Sequence, residues 1–267
     1  MRKGLLVRVG IDSSKESGSW IAPLNPITNE FAYVPIIENR EARTILPTYE
    51  AFIKPCEQLR KKLPSALLPS ATKTMHAHLD PDFERLTYGD ISGIQPDGKR
   101  NYRGKPLLQL EEDDLLVFYA SLDPRNTSGY ENKPLTYAII GIFILDSKPQ
   151  RAVDIFPNRC PDSRNAHTRV TYNDADIIAR GKPGLSGRLS HCIPIGGLVS
   201  VGQKGVMRYF LESSLYKGWG GFSFGCKQSL YLQRSGALPS FQDADSFYSW
   251  FTQESQKRDI EVQRKNN

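Results

Sequence analysis

Met75-His76-Ala77-His78-Leu79-Asp80 carries the spacing H-x-H-x-D. Alternate residues of an extended segment share a face, so His76, His78 and Asp80 could converge on one metal ion. Pro81 follows at once, and His167 and His191 are the remaining histidines able to complete a ligand set. No orienting partners are legible beside them. The expectation is therefore loop histidines and no metal. The next eleven residues, Asp80-Pro81-Asp82-Phe83-Glu84-Arg85-Leu86-Thr87-Tyr88-Gly89-Asp90, hold four carboxylates, too many for a buried strand. Either they form a solvated acidic loop, or they cluster, raising one another's pKa or accepting from a ligand's amino groups. A carboxylate is the natural acceptor for a cytosine-type exocyclic amine.

A cationic stretch follows, Asp97-Gly98-Lys99-Arg100-Asn101-Tyr102-Arg103-Gly104-Lys105. Its residue types suit phosphate clamping with base stacking, and equally a solvated turn. Gly221-Phe222-Ser223-Phe224-Gly225 fits the G-x-S-x-G nucleophile pattern, but no histidine follows it in the chain, so a serine hydrolase is disfavoured. Ser190-His191 and Arg164-Asn165-Ala166-His167 carry groups able to act as bases without forming a specific motif. A Walker loop, a dinucleotide fingerprint and the deaminase H-x-E with P-C-x-x-C are all absent from the sequence. No cofactor class is implied.

These groups must be positioned by a core. Strands are predicted at 5–11, 31–37, 115–121, 135–145, 191–201 and 205–211, each rich in β-branched or aromatic residues and bounded by Gly, Pro, Asp or Asn. Helices are predicted at 48–62, 105–112, 175–178 and 243–258. In the last, Phe247, Trp250 and Phe251 share one face. The implied fold class is α+β, a mixed sheet or small barrel decorated by helices, in a single domain over 1–267. The chain has 267 residues, 39% of them hydrophobic, and a formal net charge of +6. That is enough apolar material for a core and neither disordered nor fibrous. Its pI of 9.1 permits contact with a polyanion without establishing it. The longest nearly apolar run, 135–145, is about half of what a membrane helix needs. Arg8 and Asp12 interrupt the N-terminal apolar stretch, so it reads as a strand and not as a signal peptide. Cys56, Cys160, Cys192 and Cys226 are then expected to remain reduced core residues in a cytoplasm.

Two resemblances add to this reading. Arg100-Asn101-Tyr102, then Asp114-Leu115 with Phe118-Tyr119-Ala120-Ser121, then Gly141-Ile142 resemble the core of EVE and related PUA-like domains. Asp113 stands where that pattern has glycine. The resemblance implies a small barrel at about 86–212 holding a flipped, often modified base, with Asn101, Tyr102, Tyr119 and Ser121 lining its pocket. Over nearly its whole length the chain also resembles the third nucleotide modification associated domain family of phage and bacterial DNA-modification systems. The residues that carry this are Gly4-Leu5-Leu6-Val7-Arg8-Val9-Gly10-Ile11-Asp12, Trp20 with Ala22-Pro23, Tyr33-Val34-Pro35-Ile36 and His78 through Asp90. It implies association with DNA-base modification and fixes no reaction.

Two functional readings follow, with DNA or a nucleotide as partner and no membrane. In the favoured one the protein reads a modified base. Tyr88, Tyr102, Tyr119 and Trp219 would stack, Asp80, Asp82, Asn101 and Ser121 would read the edge, and Lys99, Arg100 and Arg103 would hold phosphate. Asp90, Arg164, His167 and His191 would be further contacts. In the other reading it modifies the base or nucleotide. Asp80, Asp82 or Glu84 would be general acid/base or metal ligand, helped by His78, His167 or His191. A structural protein without a ligand is the third, weakest reading.

Overall fold

The computed structural model describes residues 1–11, 20–38, 46–67, 75–94, 98–155, 164–169, 175–201, 206–224, 230–232 and 238–263. The first strand, Gly4–Arg8, sets the plan of the main sheet. Leu5 and Val7 enter one apolar core and Leu6 the other, as the two-residue period of a strand requires. This strand runs parallel to Leu115–Leu122, with Arg8 opposite Tyr119, while the other pairings in the sheet are antiparallel. Among the described residues the order is Val206–Leu211, Gly187–Val201, Thr136–Ile144, Leu115–Leu122, Gly4–Arg8, Ser240–Phe241 and Phe222–Phe224, with Val262–Gln263 also paired to Gly187–Val201. All eight residues of Leu115–Leu122 are buried, because both faces of the sheet are covered. The result is the expected α+β mixed sheet with a few helices.

The C-terminal helix, Ala244–Lys257, closes one face. Asp243 caps it by accepting from the Ser246 amide at 3.0 Å, and Phe247 and Phe251 are buried beneath it. The opposite face carries a second layer, a three-stranded sheet of Thr87–Ile91, Asp176–Arg180 and Gln150–Arg151. Phe83 joins the two layers. Its ring stands edge-on to Phe118 and Phe143 at 5.6 and 5.8 Å, in a space that Gly141 leaves open.

Several predicted elements are corrected. Residues 175–178 are not helical: Asp176–Arg180 is a strand, because its short Ile-Ile-Ala run fits either period and cross-strand pairing decides. The strand predicted at 31–37 is reduced to Ile36–Ile37 and an isolated bridge from Phe31 to Leu24. The helix at 48–62 is a 3₁₀ turn, Tyr49–Phe52, followed by Ile53–Gln58, and that at 105–112 is a 3₁₀ helix, Lys105–Gln109. Asp113 adopts φ 70°, the left-handed conformation a glycine would take there. Cys56 and Cys192 are buried free thiols whose pKa burial pushes up to about 12. Cys160 and Cys226 lie outside the described residues, as does the tail beyond Gln263. No described helix is long and apolar enough to cross a membrane.

Asp123, at the end of Leu115–Leu122, binds Lys61 at 2.9 Å and Arg125 at 2.8 Å. Burial alone would raise its carboxyl pKa, but the hydrogen bonds from Arg125 and Lys61 outweigh it and lower the pKa from 3.8 to about 2. A carboxyl so lowered stabilises the fold above its unfolded-state pKa and ceases to as pH falls through the folded one. The melting temperature should therefore drop between about pH 4 and pH 2, and Asp123→Asn should flatten that part of the profile.

Candidate metal centre

The second layer exists because Thr87–Ile91 can be buried despite its acidic surroundings. It pairs with Asp176–Arg180, Gly89 opposite Ile178 and Asp90 opposite Ile177. That pairing brings Asp176 beside the single helical turn Ala166–Arg169, which packs on the same strand. Asn165 heads this turn, and its Oδ1 accepts from the His167 amide at 2.9 Å. From the other side Ala77–His78 pairs with Ile36–Ile37 and sets Glu38 against His78.

The outcome is a convergence of His78, Asp80 and His167, whose potential ligand atoms all lie within 4.8 Å of one another. His76 is not part of it: its Nδ1 contacts the Leu46 carbonyl at 3.1 Å. The two rings meet edge to face at 5.0 Å. Each has its Nδ1 on a carboxylate, His78 on Glu38 at 2.6 Å and His167 on Asp176 at 2.9 Å. Nε2 of each is then the nitrogen that could ligate a metal, and His167 Nε2 lies 3.8 Å from Asp80 Oδ2. Asp80 Oδ1 accepts from the Gly89 amide at 2.8 Å and Asn165 Nδ2 at 2.6 Å, which leaves Oδ2 for a ligand. Burial pushes the Asp80 carboxyl pKa up, against lowering by the two histidines and by those hydrogen bonds. Gly89 is required here, since a Cβ at that position would lie 2.4 Å from Cβ and Cγ of His167.

The acidic segment is thus neither a solvated loop nor a common carboxylate cluster. Asp82 is a turn organiser, Oδ1 accepting from the Glu84 and Arg85 amides and Oδ2 from the Arg164 amide. Glu84 and Arg164 pair with each other, both about half exposed. Asp90 is buried and receives the Tyr88 hydroxyl at 2.9 Å and Arg103 at 2.7 Å. Arg103 also reaches the Arg8 carbonyl at 3.3 Å. The acidic segment and the basic bend therefore meet at the Asp90–Arg103 ion pair. Within the bend, Asn101 Oδ1 accepts from the Arg103 amide, and Tyr102 is 53% exposed.

Other predicted site residues lie elsewhere. Tyr119 and Ser121 enter the core on the opposite face of the main sheet, beside Tyr137 and Tyr209. Trp219 is fully buried against Phe222, Phe241, Phe247 and Trp250, so it cannot stack on a base without opening that core. His191 contacts Ser190 Oγ at 3.2 Å and stands apart from the cluster. Sequence reasoning missed Glu38, Gly89, Asn165 and Asp176. None carries a local signal, because each matters only through a partner distant in the chain.

The fold and the cluster together define an α+β protein with a partly buried cluster of two histidines and one carboxylate, each histidine hydrogen-bonded to a further carboxylate. Residues 3–204 match the model of nucleotide modification associated domain 3, and the chain belongs to that family. It is therefore a nucleotide-modification associated protein. No curated protein and no solved structure matches it.

Proposed function

We propose that the protein is an enzyme of a nucleotide-modification pathway that acts on a base or nucleotide through a divalent transition-metal ion held by His78, Asp80 and His167. The observation that carries this is the pair of carboxylates on the two imidazole Nδ1 atoms, which fixes the tautomer that ligates through Nε2. Three buried carboxylates, Glu38, Asp80 and Asp176, surround two imidazoles, so a dication would offset both their mutual repulsion and the desolvation of Asp80. Two imidazoles and one carboxylate suit iron(II) or zinc and leave coordination positions for water or substrate. Such an ion supplies Lewis acidity and an activated water. The chain's own residues orient the ligands, with Asn165 and the Gly89 amide holding Asp80 Oδ1.

The base-reading alternative has less support. Tyr88, Tyr119 and Trp219 are within the cores, and Tyr88, Asp90 and Arg103 already satisfy one another. Reconstitution with iron(II), zinc, manganese or cobalt, followed by desalting and elemental analysis, tests the proposal. Wild type should retain about one ion per chain, His167→Ala and Asp80→Asn less than about a tenth of that, and His191→Ala the full amount. Retention by none of these metals in wild type would sink it. Mass spectrometry of nucleotides and DNA incubated with the loaded protein then reads turnover.

A further inference from the structure

A cavity of about 400 Å³ lies beside the acidic turn, on residues that the metal centre does not use. Phe52, Phe83, Pro47 and Pro55 are among the residues that line it. Two guanidinium groups line it, and they differ in kind. Arg164 is already neutralised by Glu84. Arg188 is half-buried, donates Nε and Nη2 to Gln263 Oε1 at 3.1 and 2.9 Å, and sits 5.7 Å from the Phe31 ring centroid. Its Nη1 has no hydrogen-bond partner, and no carboxylate pairs with it, among the described residues. The cavity's two carboxylates are committed elsewhere: Asp82 accepts three backbone amides, and Glu84 holds Arg164.

We propose that this cavity binds a single nucleoside monophosphate, with the phosphate on Arg188 and the base against Phe52 and Phe83. A guanidinium with a free edge is shaped for bidentate capture of phosphate oxygens. Burial among apolar walls lowers the Arg188 pKa, the sign of a cation short of counter-charge, which a phosphate would supply. Aromatic faces add sequence-tolerant stacking to the base. The volume falls in the roughly 300–1,000 Å³ range of small-molecule sites, room for one nucleotide but not for a chain of them. The inference takes its nucleotide class from the proposed function and does not depend on the metal.

The test is calorimetric titration of EDTA-treated full-length protein with the four deoxynucleoside 5′-monophosphates, their nucleosides and a single-stranded oligonucleotide. At least one monophosphate should bind, with its nucleoside at least about tenfold weaker. Arg188→Gln should weaken the monophosphate at least about tenfold and leave the nucleoside unchanged. Should that variant fail to fold, Arg188→Lys, which keeps the charge and loses the fork, should cost several-fold on the monophosphate alone. The site is refuted if no monophosphate binds, if nucleosides bind as tightly, or if neither Arg188 variant matters. Tighter Arg188-dependent binding of the oligonucleotide would hand the cavity to a polynucleotide and overturn the assignment. A parallel titration of metal-loaded protein completes the test: binding seen there and absent in EDTA would return the nucleotide to the histidine cluster. Because the first titration is run in EDTA, a chain that takes no metal leaves its result standing.

Discussion

Gly89→Ala should weaken metal binding at least about tenfold while adding one methyl group to the protein. The new Cβ would lie 2.4 Å from Cβ and Cγ of His167 and 2.6 Å from its Cδ2, so the ring has to move. It cannot move alone, because its Nδ1 is held by Asp176 and its backbone amide by Asn165. Overpacking of this kind costs about 1–3 kcal/mol. Disturbing the orientation of a metal-ligating histidine typically costs about 10–100-fold in metal affinity. The expected outcome is a protein that still folds, with a melting temperature a few degrees lower and metal affinity reduced at least about tenfold. Wild-type metal affinity in Gly89→Ala would show that His167 is not a ligand.

Asp82→Ala is expected to act on stability and not on chemistry. Asp82 is 1% exposed and accepts the Glu84, Arg85 and Arg164 amides, so it ties the acidic turn to the segment leading into His167. Removing a charged acceptor that serves three part-buried backbone amides costs about 1–3 kcal/mol. Urea denaturation should show a lower midpoint with the slope preserved. Asp82→Asn should fall between, since Asn keeps one acceptor oxygen but presents an amine to the Arg164 amide. A catalytic Asp82 would behave in the opposite way: Asp82→Asn would lose turnover at unchanged stability. Such a result would restore the acid/base role that the sequence allows it.

Both variants bear on how the site was legible. His78, Asp80 and His167 stood out as residue types, but the pattern grouped His76 with them. His76 belongs on the same face only if 76–80 is one regular strand, but Ala77–His78 pairs with Ile36–Ile37 while His76 bridges Thr48. Four acidic groups in eleven residues implied solvent exposure, yet Asp82 and Asp90 are among the most buried polar residues. Backbone amides, a tyrosine hydroxyl and Arg103 make that burial possible. No spacing rule announces such partners.

What the sequence determined by itself was the secondary structure that depends on local period: the strands at Gly4–Arg8, Leu115–Leu122, Thr136–Ile144 and Gly187–Val201, and the helix Ala244–Lys257. With them came the α+β class and the family. Tertiary structure alone decided which polar groups meet. Asp80 reaches Asn165 across 85 residues and His78 reaches Glu38 across 40. Side-chain periodicity records which face of an element is apolar, and such contacts depend instead on which strands pair. That pairing is set by long-range burial, and it makes one cluster out of residues that lie far apart in the chain.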